Sequence, residues 1–379
     1  MATTTPQTLA DRLRPAQDPF PIQAFDYVEF WCGNARQSAA FYREAFGLAE
    51  IAYAGPETGV RDRASYVLGA GDFRIVLTSG LRPDDEFARL LARHGDFVRT
   101  VAFRVPDADA AFKAATERGA EGVAGPLTEE DATGRIRTAS IRTYGDTIHE
   151  LIDRSAYTGA WRPGYEALPG AQAIPKNGIL NIDHVVGNVE LGKMDEWVGY
   201  YEKVMGMAEL RHFTDDQIST EYSSLMSKVV WDGEGIIKLP INEPATSSKR
   251  KSQIDEYLEF NGGPGVQHIA LAVDDIVATV ERMRAQGLRF MDTPDTYYDD
   301  LRERVGEVDA DYGDLQRLKI LADRDEEGYL LQIFTQNVQD RPTVFFELIE
   351  RHGSRGFGEG NFKALFVSIE REQARRGNL

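Results

Sequence analysis

Apolar and polar residues alternate over residues 25–30, then switch to a helical period through Ala39, Phe41, Tyr42 and Phe46 that stops at Gly47. Alternating segments follow at 63–68 and 73–78, and a helical one around 84–94. A strand over 97–105 leads into a helix from Asp107 to Gly119, and strands over 136–142 and 147–153 flank the turn Tyr144-Gly145-Asp146. Residues 155–178 mix Gly, Pro, Ala and aromatics without a period and predict a linker.

Beyond the linker the pattern returns. Ile182-Asp183-His184-Val185 stands where Phe25-Asp26-Tyr27-Val28 stood, and Val266-Gln267-His268-Ile269 echoes Val98-Arg99-Thr100-Val101. Gly287 ends a helix as Gly119 does, and Glu347-Leu348-Ile349 matches Glu150-Leu151-Ile152. The chain therefore reads as an internal duplication, each half holding two strand–helix–strands units. The expected organisation is a tail over 1–21, a first domain over 22–154, a linker over 155–178 and a second domain over 179–379.

The duplication isolates chemistry from scaffold. The second half carries His184, His268 and Glu347 where the first has Tyr27, Thr100 and Glu150. A role common to both copies would not require histidine. Glu347 also sits among Phe345, Phe346, Leu348 and Ile349, where an uncompensated carboxylate would be costly to bury. Two neutral imidazoles and a carboxylate on neighbouring strands answer that cost with a metal ion. They leave about three positions open on one face of an octahedral ion, which suits non-haem Fe(II). Zn(II) can use the same donors, although catalytic zinc generally keeps one open position. His94, His149, His212 and His352 fall in polar or turn-like contexts and read as ordinary.

Several uncharged polar residues lie in strand-like segments of the same half: Ser227, Asn242, Gln253, Gln267 and Gln332. Amides and hydroxyls among apolar neighbours suit the orientation of a phenol or carboxylate. Strict alternation would turn Gln267 away from the face that His268 uses. Near the end, Gly356-Phe357-Gly358 precedes a helical run over 363–376 with Asn361 as its expected N-cap, a pattern fit for a lid. The charged stretch 292–316 has no counterpart in the first half and reads as a solvated excursion or oligomer contact.

A net charge of -18 argues against nucleic acid and anionic membrane as partners. The single cysteine, Cys32, excludes an internal disulfide and a cysteine-rich metal site and fits a reducing, cytoplasmic setting. No apolar run approaches the ~18–20 residues of a membrane span. Residues 1–21 lack the apolar core of a signal peptide.

Residues 182–184, 239–244, 249–253, 266–271, 328–335, 340–347 and 356–362 resemble the 4-hydroxyphenylpyruvate dioxygenase family of the vicinal oxygen chelate superfamily. The resemblance implies an α+β fold of two glyoxalase/bleomycin-resistance-like domains, each of paired βαβββ modules forming an open barrel. It implies a metal-free first domain, with Fe(II) held in the second by His184, His268 and Glu347. Ser227, Asn242, Gln253, Gln267 and Gln332 would shape the substrate network, Gln267 included despite the alternation. Phe334, Phe357 and Phe362 would flank the ring, with Val186, Pro240, Asn361 and Leu365 nearby. The implied reaction joins 4-hydroxyphenylpyruvate and O2 in oxidative decarboxylation, ring hydroxylation and side-chain migration, giving homogentisate and CO2. A homo-oligomer, dimer or tetramer, is also implied. Hydroxymandelate synthases act on the same substrate at the benzylic carbon, and extradiol dioxygenases and metal-free binding modules are more distant alternatives.

Overall fold

A computed structural model describes residues 21–213, 225–245 and 251–378. The expected tail, apart from Pro21, lies outside the described residues, as do Lys249 and Arg250 of the resembling segments. The first half of the chain is organised on β1 (Ala24–Trp31), an almost wholly buried strand. It pairs antiparallel with β5 (Phe97–Arg104) and parallel with β4 (Phe73–Gly80). Around it lie β2 (Ala49–Ala54), β3 (Arg63–Ala70), β6 (Gly122–Asp131), β7 (Gly134–Arg142), β8 (Ile148–Asp153) and the short β9 (Glu166–Ala167). Their order across the sheet is β6-β7-β8-β5-β1-β4-β3-β2-β9.

The second half repeats this with β10 (Ile179–Asn188), β11 (Ala208–Phe213), β12 (Leu225–Trp231), β13 (Lys238–Pro244), β14 (Gly265–Val273), β15 (Leu321–Arg324), β16 (Tyr329–Phe334) and β17 (Phe345–His352). Their order, β11-β12-β13-β10-β14-β17-β16-β15, is the first order read from the other edge without the short β9. The predicted duplication is thus matched over eight strands of each sheet. Two curved mixed sheets with helices form the two glyoxalase-like α+β halves.

The registers align individual residues. Tyr27 lies opposite Ala102 and Ala102 beside Glu150; His184 lies opposite Ala270 and Ala270 beside Glu347. Likewise Thr100 faces Glu29 as His268 faces Val186. Each β1-type strand also slips against its partner at two matching places. In the second half the residues passed over are Asp183 and Gln267; in the first they are Asp26 and Arg99. A bulge adds a residue without a partner and re-aims its side chain, so simple alternation fails there.

Helix α1 (Ala35–Phe46) starts on an Asn34 cap and ends at Gly47. α2 (Glu86–His94) and α3 (Ala108–Glu117) complete the first half, and α4 (Met194–Met205), α5 (Gln253–Asn261) and α6 (Ile276–Ala285) recur in the second. The halves share one apolar core. Phe346, next to Glu347 on β17 and facing the opposite way, packs on Phe30, Tyr42 and Phe46 with ring centroids 6.3, 5.8 and 5.0 Å away. The strand that presents Glu347 to its own concave face is therefore seated in the other half.

Polar contacts across the same seam correct the reading of two histidines. His94 is buried between Asn261 O, at 2.5 Å, and Asp146 Oδ2, at 2.8 Å. His149 is fully buried; its Nδ1–H donates to Val101 O and its Nε2 accepts from the Tyr201 hydroxyl of α4. Both sit in elements that looked polar because their partners come from distant sequence. Arg341 donates to Ala92 O and Arg93 O at the end of α2 and to Phe260 O at the end of α5. A guanidinium at two helix C-termini meets all three of these carbonyls and both negative dipole ends.

Other expectations also change. Gln253 opens helix α5 behind a Ser252–Asp255 capping box and is not on a strand. The stretch 292–316 is not simply solvated: it forms α7 (Leu301–Val305) and part of α8 (Tyr312–Leu318), and Leu301, Val305 and Leu315 are buried. Part of the segment 155–178 packs on the first sheet, where β9 pairs with β2 and Trp161 is buried.

Arg341→Ala should lower stability to urea by about 2 kcal/mol, and Arg341→Lys should not restore it, because a compact ammonium cannot span both helix ends. His149 supplies a pH-dependent counterpart. Burial depresses its imidazole from 6.5 to about 4. Below about pH 6.5 the unfolded chain binds a proton that the folded chain refuses, so this contribution is complete above 6.5 and lost as pH falls toward 4. The loss is up to roughly 3 kcal/mol. His149→Gln should flatten that part of the stability curve, measured by urea unfolding from about pH 7 to about pH 4.5.

Candidate metal centre and substrate pocket

β10, β14 and β17 are neighbours in the second sheet, so His184, His268 and Glu347 meet on its concave face. All three are buried, and one donor atom from each lies within 4.8 Å of the others. Glu347 Oε2 is 3.2 Å from His184 Nε2 and 3.4 Å from His268 Nε2. Burial alone would raise the Glu347 carboxyl, but the charges and hydrogen bonds of the two imidazoles prevail and hold it at about 2. Burial lowers His268, while the Glu347 and Asp183 carboxylates outweigh burial at His184 and raise it. A cation held by the three donors would supply the positive charge that Glu347 requires.

The remaining ring nitrogens show that the donor set fits such an ion. His184 Nδ1 is 2.7 Å from Asp183 Oδ1, and His268 Nδ1 is 2.9 Å from Gln267 Oε1. Donation from each Nδ1–H fixes the tautomer that leaves Nε2 with a free lone pair at the centre. Asp183 and Gln267 are both bulge residues, which is how they come to lie beside the ligands that follow them. This removes the alternation objection to Gln267. Asp183 is held in turn by Lys238 at 3.0 Å and Arg351 at 2.8 Å. Burial would raise its carboxyl; those two cations keep it well below the ordinary carboxylate range.

A hydrogen-bonded line reaches the third ligand. The Tyr297 hydroxyl donates to Asn361 Oδ1, Asn361 Nδ2 to Gln332 Oε1 at 3.1 Å, and Gln332 Nε2 to Glu347 Oε1 at 3.3 Å. Glu347 thereby keeps Oε2 for the centre. Asn361 stands at the start of α9 (Phe362–Arg376), but its side chain does not cap the helix as expected; it is spent on this line. Gly358 has φ 75°, and a Cβ there would overlap Gln332 Oε1, so the turn before α9 requires glycine.

The cavity at the centre is lined by Val186, Ser227, Pro240, Asn242, Gln253, Gln267, Gln332, Phe334, Phe357, Phe362 and Leu365 with the three ligands. Every residue singled out from the sequence lines it except Asn361, which lies one bond behind Gln332. Ser227 and Asn242 face each other across β12 and β13. Val229, Phe345, Phe366 and Ile369 also line it and were not anticipated as wall residues. Phe345 stacks on His268 with centroids 4.9 Å apart, a contact that the place of both residues on adjacent parallel strands could have suggested. Asp183 and Tyr297 were also missed, since neither touches the cavity.

Two family models match the chain. One, described as "Hydroxyphenylpyruvate dioxygenase, HPPD, N-terminal", covers residues 16–162; the other, the glyoxalase/bleomycin resistance protein/dioxygenase superfamily, covers 181–333. A 4-hydroxyphenylpyruvate dioxygenase of Caenorhabditis elegans is 47% identical over 94% of this chain and 93% of its own. One from Aspergillus fumigatus is 45% identical over 94% of each chain. Among solved structures, a mutant 4-hydroxymandelate synthase from Streptomyces coelicolor aligns with TM-score 0.85 and 35% identity, over 93% of this chain and 99% of the other.

Asp183→Asn should weaken divalent-metal affinity by about 10–100-fold, since the partner that orients His184 loses its charge. Titration of the metal-free protein with Co(II) measures this directly; unchanged affinity would remove Asp183 from the account.

Proposed function

The chain belongs to the 4-hydroxyphenylpyruvate dioxygenase family, and from that premise we propose that it converts 4-hydroxyphenylpyruvate and O2 to homogentisate and CO2. The observation that carries the reading is the buried set of His184, His268 and Glu347, whose outer atoms are already committed and whose inner atoms converge. The family and this donor set together support Fe(II) as the resident ion. Bound there, Fe(II) supplies the affinity for a 2-oxo acid and the redox chemistry with O2.

The protein's own part is binding, orientation and exclusion of water. The 2-oxo acid end of the substrate belongs at the ligand triad and the phenol end among the uncharged amides. Ser227, Asn242, Gln253 and Gln267 offer hydroxyl and amide groups to polar substrate atoms without adding charge. Gln332 holds Glu347 and is held by Asn361, so it acts on the ligand's direction as well as on the pocket. Phe334, Phe357 and Phe362 form the aromatic walls, with Val186, Pro240 and Leu365 filling between them. Such placement sets which substrate carbon meets the oxidant, the point on which ring and benzylic hydroxylation differ.

Helix α9 is the reading's moving part. The cavity beneath it is only about 80 Å³, against the roughly 300–1,000 Å³ of ordinary ligand sites. Phe362, Leu365, Phe366 and Ile369 from this helix occupy the remainder. Its far end is latched: Arg376 Nη2 lies 2.7 Å from the buried Glu256 carboxylate, and Asn378 donates to the same group at 2.8 Å. Substrate entry therefore requires α9 to swing out, and its return closes the site to water.

His184→Ala, His268→Ala and Glu347→Ala should each abolish turnover and iron retention, whereas Thr100→Ala, at the position matching His268 in the first half, should keep both. Iron quantitation on anaerobically purified protein, followed by O2 uptake on adding the keto acid, measures the two effects. Product analysis by mass and NMR should give homogentisate; hydroxymandelate would assign the chain the activity named for its solved neighbour instead.

A further inference from the structure

The first half holds a cavity of about 500 Å³ on the face of its sheet that corresponds to the metal centre. Register places its residues one by one. Ser65 faces Thr78 as Ser227 faces Asn242, and Glu29 occupies the position of Val186. The carboxylate matching Glu347 is Glu150, and it is already satisfied: Tyr27 donates to it at 2.5 Å, and Arg162 stands 3.5 Å away. Arg162 also forms a fork on Glu129, with Nη2 at 2.5 Å and Nε at 3.0 Å. A guanidinium from the segment after β8 thus supplies here the positive charge that a metal supplies at Glu347.

One carboxylate is left over. Glu29 accepts from two hydroxyls, Thr78 Oγ1 at 2.7 Å and Thr100 Oγ1 at 2.9 Å, and no cation lies within ion-pair distance among the described residues. Burial accordingly pushes its carboxyl up. Arg63 also lines the cavity but pairs with Asp62 at 3.0 Å. The walls around Glu29 are aromatic: Trp31, Phe87, Trp161 and Tyr165. The Trp161 side chain is 6% exposed, and its indole N–H has no acceptor. Leu127, also lining the cavity, is 57% exposed.

We propose that this cavity is a second ligand site, which takes an aromatic alkylammonium with its cation on Glu29 and its ring against the wall of Trp31, Phe87 and Tyr165. A buried carboxylate without a counter-charge at ion-pair distance selects a cation, and the aromatic walls beside it pack the ligand's ring and exclude water. The hydroxyls of Thr78 and Thr100 hold the Glu29 oxygens in place for it. The site is separate from the proposed reaction and does not rest on it.

The test uses the full-length, iron-loaded protein and phenethylammonium, read by calorimetry and by tryptophan fluorescence, since Trp31 and Trp161 line the cavity. Saturable binding at one site per chain is expected, with Kd of about 1 mM or below. The neutral 2-phenylethanol and the anionic 3-phenylpropionate should bind at least ~tenfold more weakly, and Glu29→Gln should weaken the ammonium by at least ~tenfold. Leu127→Arg, at an exposed position that tolerates substitution, should also weaken it while leaving turnover unchanged. The proposal is overturned by any of four results: no binding up to about 10 mM, equal affinity for an uncharged or anionic analogue, indifference to both variants, or displacement of the ammonium by the keto acid under anaerobic conditions.

Discussion

A carboxylate on the concave, apolar face of a sheet is costly unless donors or positive charge meet it, and this cost shapes both halves of the chain. Glu347 is met by two imidazoles whose free nitrogens call for a cation. Glu150, at the same register, is met by Tyr27 and by Arg162 from the segment that follows β8. The same scaffold thus carries two answers to one electrostatic problem. One leaves coordination positions open for chemistry; the other closes them with a side chain.

The precision of the first answer comes from irregularities in the strands. Bulges at Asp183 and Gln267 place each beside the histidine that follows, so each ligand carries its own orienting partner as a sequence neighbour. The third ligand is oriented across the sheet instead, from Tyr297 through Asn361 and Gln332. Meanwhile Phe346 ties the Glu347 strand into the first half, and Arg341 ties the ends of α2 and α5 together. The first half thereby fixes the second's geometry without contributing a ligand.

Much of this was legible in the sequence because duplication provided an internal reference. The two histidines stood out as residues that only one copy needs, Glu347 as a carboxylate among apolar neighbours, and the paired units appeared in the same order twice. What stayed hidden shares a physical cause: it depends on partners distant in sequence or on solvent on both sides. Strand β6 is exposed along most of its length and so has no alternation to read. The β2 strand is short and carries few large apolar residues. His94 and His149 looked polar because the carbonyls and hydroxyl that satisfy them belong to other elements. The role of Asn361 was missed for the same reason, and those of Asp183 and Gln267 were obscured because a bulge breaks the period-two rule on which strand reading rests.

The latch at Arg376 and Asn378 has a practical side. Arg376 in the last turn of α9 and Asn378, two residues further on, both grip Glu256, so this end of the helix is anchored by a carboxylate on α5. Glu256 is not among the cavity's lining residues, so a substitution there would alter how α9 is held without changing a wall of the cavity.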